Sequence, residues 1–305
     1  MTLRNQYLLL QGGRARFHGG RIRADWAWFD MFEVAYGGSG RVIGVDPAGV
    51  LRDLGTSAPW MAGELTGDFR AHGAVPMGGD YELGDPYPTL TDARRELIDF
   101  EATSDWTFEP AGALPGPIGR VTLEKGARVR ADYEVVSVPR ARLRAPGASL
   151  RIDHLSMDYR QMEFWRAGEG PPVDLHLSLA DVAPFVAAAG FPGLSGRLSA
   201  SLTASGPLAA PRAEFRARVD EPVWRIGDRS IQGEQIRLEA HATSGRVTVE
   251  PFEVQTDRGS LSVEGDLTFG RSDGSGFRSV DRMPVDMRYR AAGLELSIID
   301  QLLGT

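Results

Sequence analysis

Two stretches of this chain, residues 63–73 (GELTGDFRAHG) and residues 196–206 (GRLSASLTASG), carry the same pattern. Each begins and ends with glycine, and small or apolar residues alternate with polar ones in between. The matching positions, all offset by 133 residues, are Gly63, Leu65, Phe69, Ala71 and Gly73 in the first copy and Gly196, Leu198, Leu202, Ala204 and Gly206 in the second. Self-similarity at a fixed spacing is typical of stacked repeats, in which each unit buries its apolar face against neighbours. The pattern predicts a function carried by a continuous surface.

The repeat extends upstream of these stretches. Residues 172–177 (PVDLHL) match residues 284–289 (PVDMRY) at an offset of 112. In the first copy Ile43 and Val45 hold the corresponding positions one residue out of phase, which a short insertion or deletion in a loop would explain. Short helices are expected after these strands, at residues 47–54, at residues 180–189 and again from residue 294 to 298. The predicted unit is strand, short helix, glycine turn and strand.

These repeats divide the chain into four predicted parts. Residues 1–73 form a partial first unit, and residues 74–116 form an irregular insertion rich in proline and glycine, with a short helix at residues 92–100. Residues 117–206 form the second unit. Residues 207–305 form a meander of antiparallel hairpins and the start of a truncated third unit. We therefore expect the chain to be a piece of a longer protein whose membrane anchor lies outside these residues.

Alternation with a period of two dominates the sequence, as at Ile22, Ala24, Trp26 and Trp28, and it indicates strands with one apolar face. The run at residues 37–40 (GGSG) is typical of a hairpin turn. A one-faced sheet needs a cover, and few helices are predicted. Three arrangements remain open: a sandwich, a closed barrel, or a curled sheet whose apolar face lines a groove.

The composition limits the function. With 34 basic and 41 acidic residues the net charge is −7, and this balance argues against nucleic-acid binding. Cysteine is absent from the sequence, so neither disulfides nor thiolate chemistry is available. Arginines that alternate with apolar residues indicate the solvated face of a half-buried sheet.

Sequence motifs for catalysis are missing. No phosphate-binding loop, dinucleotide fingerprint or nucleophile elbow occurs in the 305 residues. The five histidines are far apart, and none pairs with another at metal-ligand spacing. Asp153, His154 and Ser156 match a catalytic triad by residue type alone. We therefore expect no enzymatic activity, no cofactor and no metal site.

The spacing of glycine and apolar residues from residue 194 to 270 resembles the strand units of the AsmA-like and TamB-like proteins of the Gram-negative envelope. The shared order is a strand between two glycines, a small loop with proline, and further strands that each end near a glycine. The matching positions include Gly196, Gly206, Pro207, Pro211, Phe215, Ile226, Ile231, Gly233, Ile236, Leu238, Val247, Val249, Phe252, Val254, Gly259, Leu261, Val263, Gly265 and Leu267. Residues 12–73 match more loosely.

This resemblance implies an all-β fold: an elongated, curled antiparallel sheet, called a β-taco or repeating β-groove, with a few short helices. It also implies a periplasmic location, with an anchor in the inner membrane and a reach toward the outer membrane. The groove would carry the acyl chains of phospholipid between the two membranes. Because TamB-like members are linked to outer-membrane protein assembly, an outer-membrane β-barrel protein is a further expected partner.

The residues expected to line the groove are apolar and alternate along the predicted strands. They are Leu65, Phe69, Leu175, Leu177, Leu198, Leu202, Leu238, Val247, Val249, Leu261, Val263, Leu267 and Phe269. Two other functions stay open at this point. One is an assembly scaffold whose edge strand adds a client strand by β-augmentation. The other is an enzyme on a β-sandwich that acts on glycans.

Overall fold

The computed structural model describes most of the chain. The described residues are 2–4, 7–30, 35–53, 55, 57–74, 98–112, 119–131, 135–158, 161, 163–164, 172–188, 193–207, 211–226, 229–243, 246–256, 259–268 and 285–293. Strands dominate them, and the only α-helices among them are two short ones. The predicted all-β antiparallel fold class is confirmed.

The described elements belong to two compact units, which meet in sequence at residues 146 and 147. This boundary divides the predicted second repeat, residues 117–206. The elements of the first unit are β1 (Thr2–Arg4), β2 (Tyr7–Phe17), β3 (Gly20–Asp30), β4 (Ala35–Val45), α1 (Pro47–Asp53), a 3₁₀ turn (Pro59–Met61), β5 (Gly63–Ala74), β6 (Ile98–Ala102), β7 (Trp106–Pro110), β8 (Val121–Leu123), β9 (Arg128–Ala131) and β10 (Val135–Ala145).

The second unit contains β11 to β19 and one helix, except for the last residue of β11, Asp158, which groups with the first unit. Its elements are β11 (Ala148–Asp158), β12 (Glu163–Phe164), β13 (Val173–Leu179), α2 (Ala183–Ala188), β14 (Leu194–Pro207), β15 (Arg212–Ile226), β16 (Arg229–Thr243), β17 (Arg246–Thr256), β18 (Gly259–Thr268) and β19 (Val285–Ala292). From β13 onward each strand pairs antiparallel with the next, which confirms the predicted meander.

Two helix predictions are confirmed and one is wrong in its described part. The helices expected at residues 47–54 and 180–189 are α1 and α2. Of the helix expected at residues 92–100, residues 98–100 belong to strand β6, and the rest lies outside the described residues. Strand β6 pairs with β5 between Phe69 and His72, so sheet hydrogen bonds hold this segment extended. The helix pattern expected at residues 294–298 also lies outside the described residues.

The predicted turn at residues 37–40 is wrong, because these glycines lie inside strand β4. A side chain at Gly37 would meet the indole of Trp28 at 2.6 Å, and one at Gly40 would meet the carbonyl oxygen of Arg23 at 2.3 Å. Glycine is therefore required here by the close approach of strand β3 and not by a reversal of the chain.

Cross-strand pairing in the second unit aligns apolar residues in four rows across the sheet. Row 1 contains Leu179, Leu198, Val219, Ile236, Val254, Leu261 and Ala291. Row 2 contains Leu177, Ala200, Ala217, Leu238, Phe252, Val263 and Tyr289. Row 3 contains Leu175, Leu202, Phe215, Ala240, Val249, Gly265 and Met287. Row 4 contains Val173, Ala204, Ala213, Ala242, Val247, Leu267 and Val285.

The core of the second unit lies at row 1. Leu179, Val219, Ile236, Val254 and Leu261 are buried in one cluster with Val182, and Phe185 and Val186 of α2 pack against it. In a flat sheet β13 and β18 would lie about 24 Å apart, whereas α2 is only about 9 Å long. Because the row is buried over this whole width, the sheet of the second unit curls at this end.

Candidate functional site

An aspartate ties each short helix to the first glycine of its repeat. In the second unit Asp181 Oδ1 accepts hydrogen bonds from the backbone N–H of Ala183 (3.0 Å) and of Gly196 (3.2 Å). In the first unit Asp46 does the same for Ala48 (3.2 Å) and Gly63 (3.3 Å). Each carboxylate therefore caps a helix and fixes the start of the next strand.

The two repeat glycines share a backbone conformation that favours glycine. Gly63 has φ +156° and Gly196 has φ +138°. A side chain at Gly63 would lie 2.3 Å from the carbonyl oxygen of Glu109, and one at Gly196 would lie 2.8 Å from Val219 Cγ1. The sequence repeat is thus a structural repeat at this point, although the aspartates were not singled out from the sequence.

The strand pairs of the two repeats also correspond. In the first repeat Phe69 of β5 pairs with Gly40 of β4. At the equivalent position of the second repeat, Leu202 of β14 pairs with Leu175 of β13. At the helix end Leu65 pairs with Val45 as Leu198 pairs with Leu179. Between Val42 and Val45 the register of β4 shifts by a β-bulge that contains Ile43 and Gly44 (φ +61°). This bulge adds one residue to the first copy, and the connection from Val45 to Leu65 is also one residue longer than that from Leu179 to Leu198 (20 against 19), as the expected loop insertion requires.

In the second unit the pairing brings the predicted lining residues to one face of the sheet, in rows 1 to 4. Those described there are Leu175, Leu177, Leu198, Leu202, Leu238, Val247, Val249, Leu261, Val263 and, by its backbone register, Leu267. Phe269 lies outside the described residues. The face continues through residues that were not predicted as lining, notably Phe215 and Phe252.

Burial along this face is uneven. In row 1 Leu261 is 3% exposed and belongs to the cluster at α2, so it supports the face from within. Rows 2 and 3 are only partly buried from β13 to β18, and Leu177, Phe252 and Val263 of row 2 pack against that cluster. At the last strand Met287 and Tyr289 are 44% and 60% exposed. Rows 2 and 3 together form an apolar trough that is two rows wide. Helix α2 closes it along one side, and aliphatic, aromatic and small residues line it.

The face of the first unit is richer in aromatic rings. Leu65 and Phe69, both predicted, lie on one face with Gly67 between them. The ring of Phe69 stacks on Phe100 with centroids 6.0 Å apart, and Phe100 meets Trp106 edge-on at 5.5 Å.

Trp106 is 7% exposed and covers Gly67, where a side chain would lie 2.3 Å from its indole ring. Its Nε1–H donates to the carbonyl oxygen of Asp68 at 2.7 Å. Sequence reasoning assigned Trp106 and Phe108 to the irregular insertion, and the structure places them on strand β7 of this sheet. Aromatic packing over a small residue therefore fills part of the face in the first unit.

One predicted stripe is split between the two faces. A β-bulge between Ala24 and Trp26 shifts the register of β3 against β4. Ala24 pairs with Gly40 and Trp28 pairs with Gly37, which alternate on β4 and so lie on opposite faces. Trp26 and Trp28 therefore lie on one face of the sheet, and Ile22 and Ala24 lie on the other. Trp26 is 42% exposed.

The opposite face of the sheet carries paired charges. In the second unit the hydrogen bond from Arg218 lowers the pKa of Asp220, and those from Arg246 and Thr248 lower the pKa of Asp266. In the first unit Asp99 is 3% exposed. Burial opposes its ionisation, but the hydrogen bond and charge of Arg128, with the charges of Arg130 and His72, outweigh burial and lower its pKa.

These charges form no recognisable catalytic constellation within the described residues. Ser156 is fully buried, and its hydroxyl has no hydrogen-bond partner there. Asp153 contacts His176 Nε2 at 3.3 Å and accepts a hydrogen bond from Arg151 Nε at 2.8 Å, and neither of these partners belongs to a triad with His154 and Ser156.

Asp153, Asp174 and His176 place their ligand atoms within 4.8 Å of one another, which is close enough to share a cation. However, the guanidinium of Arg151 already occupies the Asp153 carboxylate, and all three side chains are partly exposed. This arrangement is that of a solvated cross-strand ion cluster.

The fold and the face together define an all-β repeat protein with one apolar and one charged sheet surface. None of its described helices has the length and apolar character needed to cross a membrane. Comparison of the chain with protein-family models, with curated proteins and with solved structures finds no match.

Proposed function

We propose that the apolar face of the second unit binds the acyl chains of phospholipid. The observation that carries this proposal is the incomplete burial of rows 2 and 3. Leu175, Leu177, Leu202, Leu238 and Val263 belong to these rows on strands β13, β14, β16 and β18, and each is only partly buried. An apolar surface that a domain leaves uncovered indicates a site for an apolar ligand or partner.

The chemistry of the trough suits a hydrocarbon chain. Each methylene group moved from water onto this surface contributes about 0.8 kcal/mol to binding. The trough offers no polar group that would recognise a particular tail, since the ionised side chains lie on the other face. Affinity should therefore grow with chain length and depend little on its structure, and a bound chain can shift along the rows.

The cellular role we propose follows from the resemblance described above. The chain would be a segment of an AsmA-like or TamB-like protein, located in the periplasm and anchored in the inner membrane by residues outside this sequence. In that setting the apolar face would conduct phospholipid between the inner and outer membranes. The repeat of the Asp46–Gly63 and Asp181–Gly196 arrangement supports a modular, extendable sheet.

A lipid analysis of the purified chain tests the proposal. Express the chain in bacteria, purify it without detergent, and measure bound phospholipid per protein by mass spectrometry. Phospholipid should copurify with the native chain, and Val263→Asp should lose most of it, because a charge would enter row 2. The matched control is Ser262→Asp on the neighbouring, outward position.

The outcome depends on both variants being folded, which circular dichroism and the melting temperature establish. Leu261 is unsuitable for this test, because its side chain belongs to the buried cluster and its replacement would unfold the unit. A native chain free of lipid, or equal loss in the Val263 and Ser262 variants, would contradict the proposal.

A further inference from the structure

Five arginines lie on one face of the first unit, on three adjoining strands. Arg14 of β2 pairs with Arg23 of β3, and Arg23 pairs on its other side with Arg41 of β4. In the next row Arg16 pairs with Arg21. The two rows are two residues apart on β2 and on β3, so their side chains share a face. All five residues are exposed, and together we call them the arginine array.

The array is electrostatically unfavourable for the sheet alone, because like charges directly opposite one another repel. Asp25 Oδ1 lies 3.8 Å from Arg23 Nε, and Asp68 Oδ1 lies 3.7 Å from Arg41 Nε. Both distances are longer than a hydrogen bond. Within the described residues the other three arginines of the array form no ion pair. The array is therefore a local excess of positive charge on a chain whose net charge is −7.

Arginines on the charged face of the second unit have closer partners. Arg218 Nε donates a hydrogen bond to Asp220 at 2.5 Å, and Arg246 Nε donates one to Asp266 at 2.9 Å. These carboxylates neutralise their arginines at short range, whereas the two carboxylates beside the array are farther away. Anions from outside the chain would remove the repulsion within the array.

An exposed tryptophan borders the array. Ser39 and Arg41 are two residues apart on β4 and so share a face. Their partners on β3 are Trp26 and Arg23. Trp26 therefore lies on the face of the array, at the position next to Arg23, and it is exposed. Tryptophan rings are enriched at the level of lipid headgroups, and arginine binds phosphate oxygens through two parallel hydrogen bonds.

We propose that the arginine array docks the first unit on a bilayer that contains anionic phospholipid. The guanidinium groups would bind headgroup phosphates, and the ring of Trp26 would lie at the headgroup level beside them. The same bilayer would repel the acidic remainder of the chain, so this face would be the one that approaches it.

A strand of nucleic acid also carries phosphates, but sites for single strands combine a basic groove with several rings on which bases stack. Of the two tryptophans on β3, only Trp26 is exposed, because the indole of Trp28 covers Gly37. One exposed ring at the border of a row of arginines fits a headgroup layer better.

Vesicle binding by a charge-reversed variant tests the proposal. Sediment the full chain with vesicles of phosphatidylcholine, and with vesicles of phosphatidylcholine and phosphatidylglycerol in equal parts. The native chain should bind the mixed vesicles more tightly than the neutral ones, and added salt should weaken this binding. Arg23→Glu should bind the mixed vesicles on the order of 25-fold more weakly, since each unit of charge near an anionic surface contributes about a fivefold factor.

The matched control is Arg120→Glu, which makes the same change of charge on an exposed side chain of the first unit outside the array and should bind like the native chain. Stability separates docking from a structural role. The carboxylate introduced in Arg23→Glu would lie opposite Arg14 and Arg41, and opposite charges across strands are favourable, so the melting temperature should not fall. Trp26→Ala keeps every charge and should also weaken binding.

Three results would each overturn the proposal: equal binding of the native chain and Arg23→Glu, equal binding to mixed and neutral vesicles, or tighter binding to a single-stranded oligonucleotide than to mixed vesicles at the same phosphate concentration. Val263→Asp alters the trough of the second unit and should leave vesicle binding unchanged. Docking by the first unit and acyl-chain binding by the second can therefore fail separately.

Discussion

Asp181 and Gly196 lie 15 residues apart, and the carboxylate of the first accepts a hydrogen bond from the backbone N–H of the second at 3.2 Å. Asp46 and Gly63 repeat this relationship in the first unit at 3.3 Å. In each unit the bond connects the end of one strand, a short helix and the start of the next strand. This connection positions α2 against row 1, and thereby closes one side of the apolar trough.

Removal of the Asp181 carboxylate should destabilise the second unit. We expect Asp181→Ala to lower the free energy of unfolding by about 1 kcal/mol, as for loss of a helix cap. Asp181→Asn should restore most of this, because its side-chain oxygen can still accept from Ala183 and Gly196. Urea unfolding followed by circular dichroism measures both. Equal losses in the two variants would show that charge, and not the hydrogen bonds, is responsible.

Gly196 should tolerate no side chain. Gly196→Ala combines an unfavourable φ of +138° with a contact of 2.8 Å to Val219, and we expect a loss of about 2 kcal/mol. Gly206→Ala is the matched control. Gly206 also has a positive φ, but a side chain there meets no atom within 4 Å. The melting temperature of Gly196→Ala should therefore be lower than that of Gly206→Ala, and the reverse order would contradict the close contact of Gly196 with Val219.

Gly67 and Trp106 should be energetically coupled. A methyl group at Gly67 would displace the indole ring, so Gly67→Ala should cost about 1–3 kcal/mol. In a Trp106→Leu background the same change should cost less, since the smaller side chain leaves room. A double-mutant cycle based on urea unfolding measures the coupling. Additive effects would show that Trp106 does not rest on Gly67.

Acid should weaken the first unit through Asp99. The folded-state pKa of this carboxyl is lowered, so its contribution to stability is complete above the ordinary aspartate pKa of about 3.9. The contribution is lost as the pH falls through that value toward the folded-state pKa. Unfolding curves at pH 7 and pH 3 should therefore differ less for Asp99→Asn than for the native chain. The same pH dependence in both proteins would assign it to other groups.

The sequence predicted the repeat and the apolar face of the second unit because both depend on regular spacing. Strands β13 to β18 keep their pairing in register or shift it by bulges that preserve the rows, so alternation along each strand was a sufficient guide. Alternation failed for Trp26 and Trp28, since a single bulge after Ala24 moves them to the other face. A β-bulge has no distinct pattern that can be recognised from a single amino-acid sequence.

Other features could not be found because they depend on contacts distant in sequence. The glycines at 37–40 have the composition of a turn, and only the position of Trp28 on the neighbouring strand explains them. Phe100 and Trp106 followed a proline-rich segment and were assigned to an insertion, whereas pairing with β5 makes them part of the sheet. The available sign of the two caps was an aspartate at the start of each predicted helix: Asp46 just before residues 47–54, and Asp181 as the second residue of 180–189.

The central claim, that phospholipid tails lie on the apolar face of the second unit, is tested most directly by photocrosslinking at adjacent positions. Place a photoreactive amino acid singly at Leu238 and Val263, which lie in row 2, and at Arg237 and Ser262 on the opposite face. Irradiate cells that express each variant and measure protein-bound phospholipid by mass spectrometry. The account predicts lipid adducts at Leu238 and Val263 and none above background at Arg237 and Ser262. Adducts of equal yield on both faces, or none at any of the four positions, would contradict it.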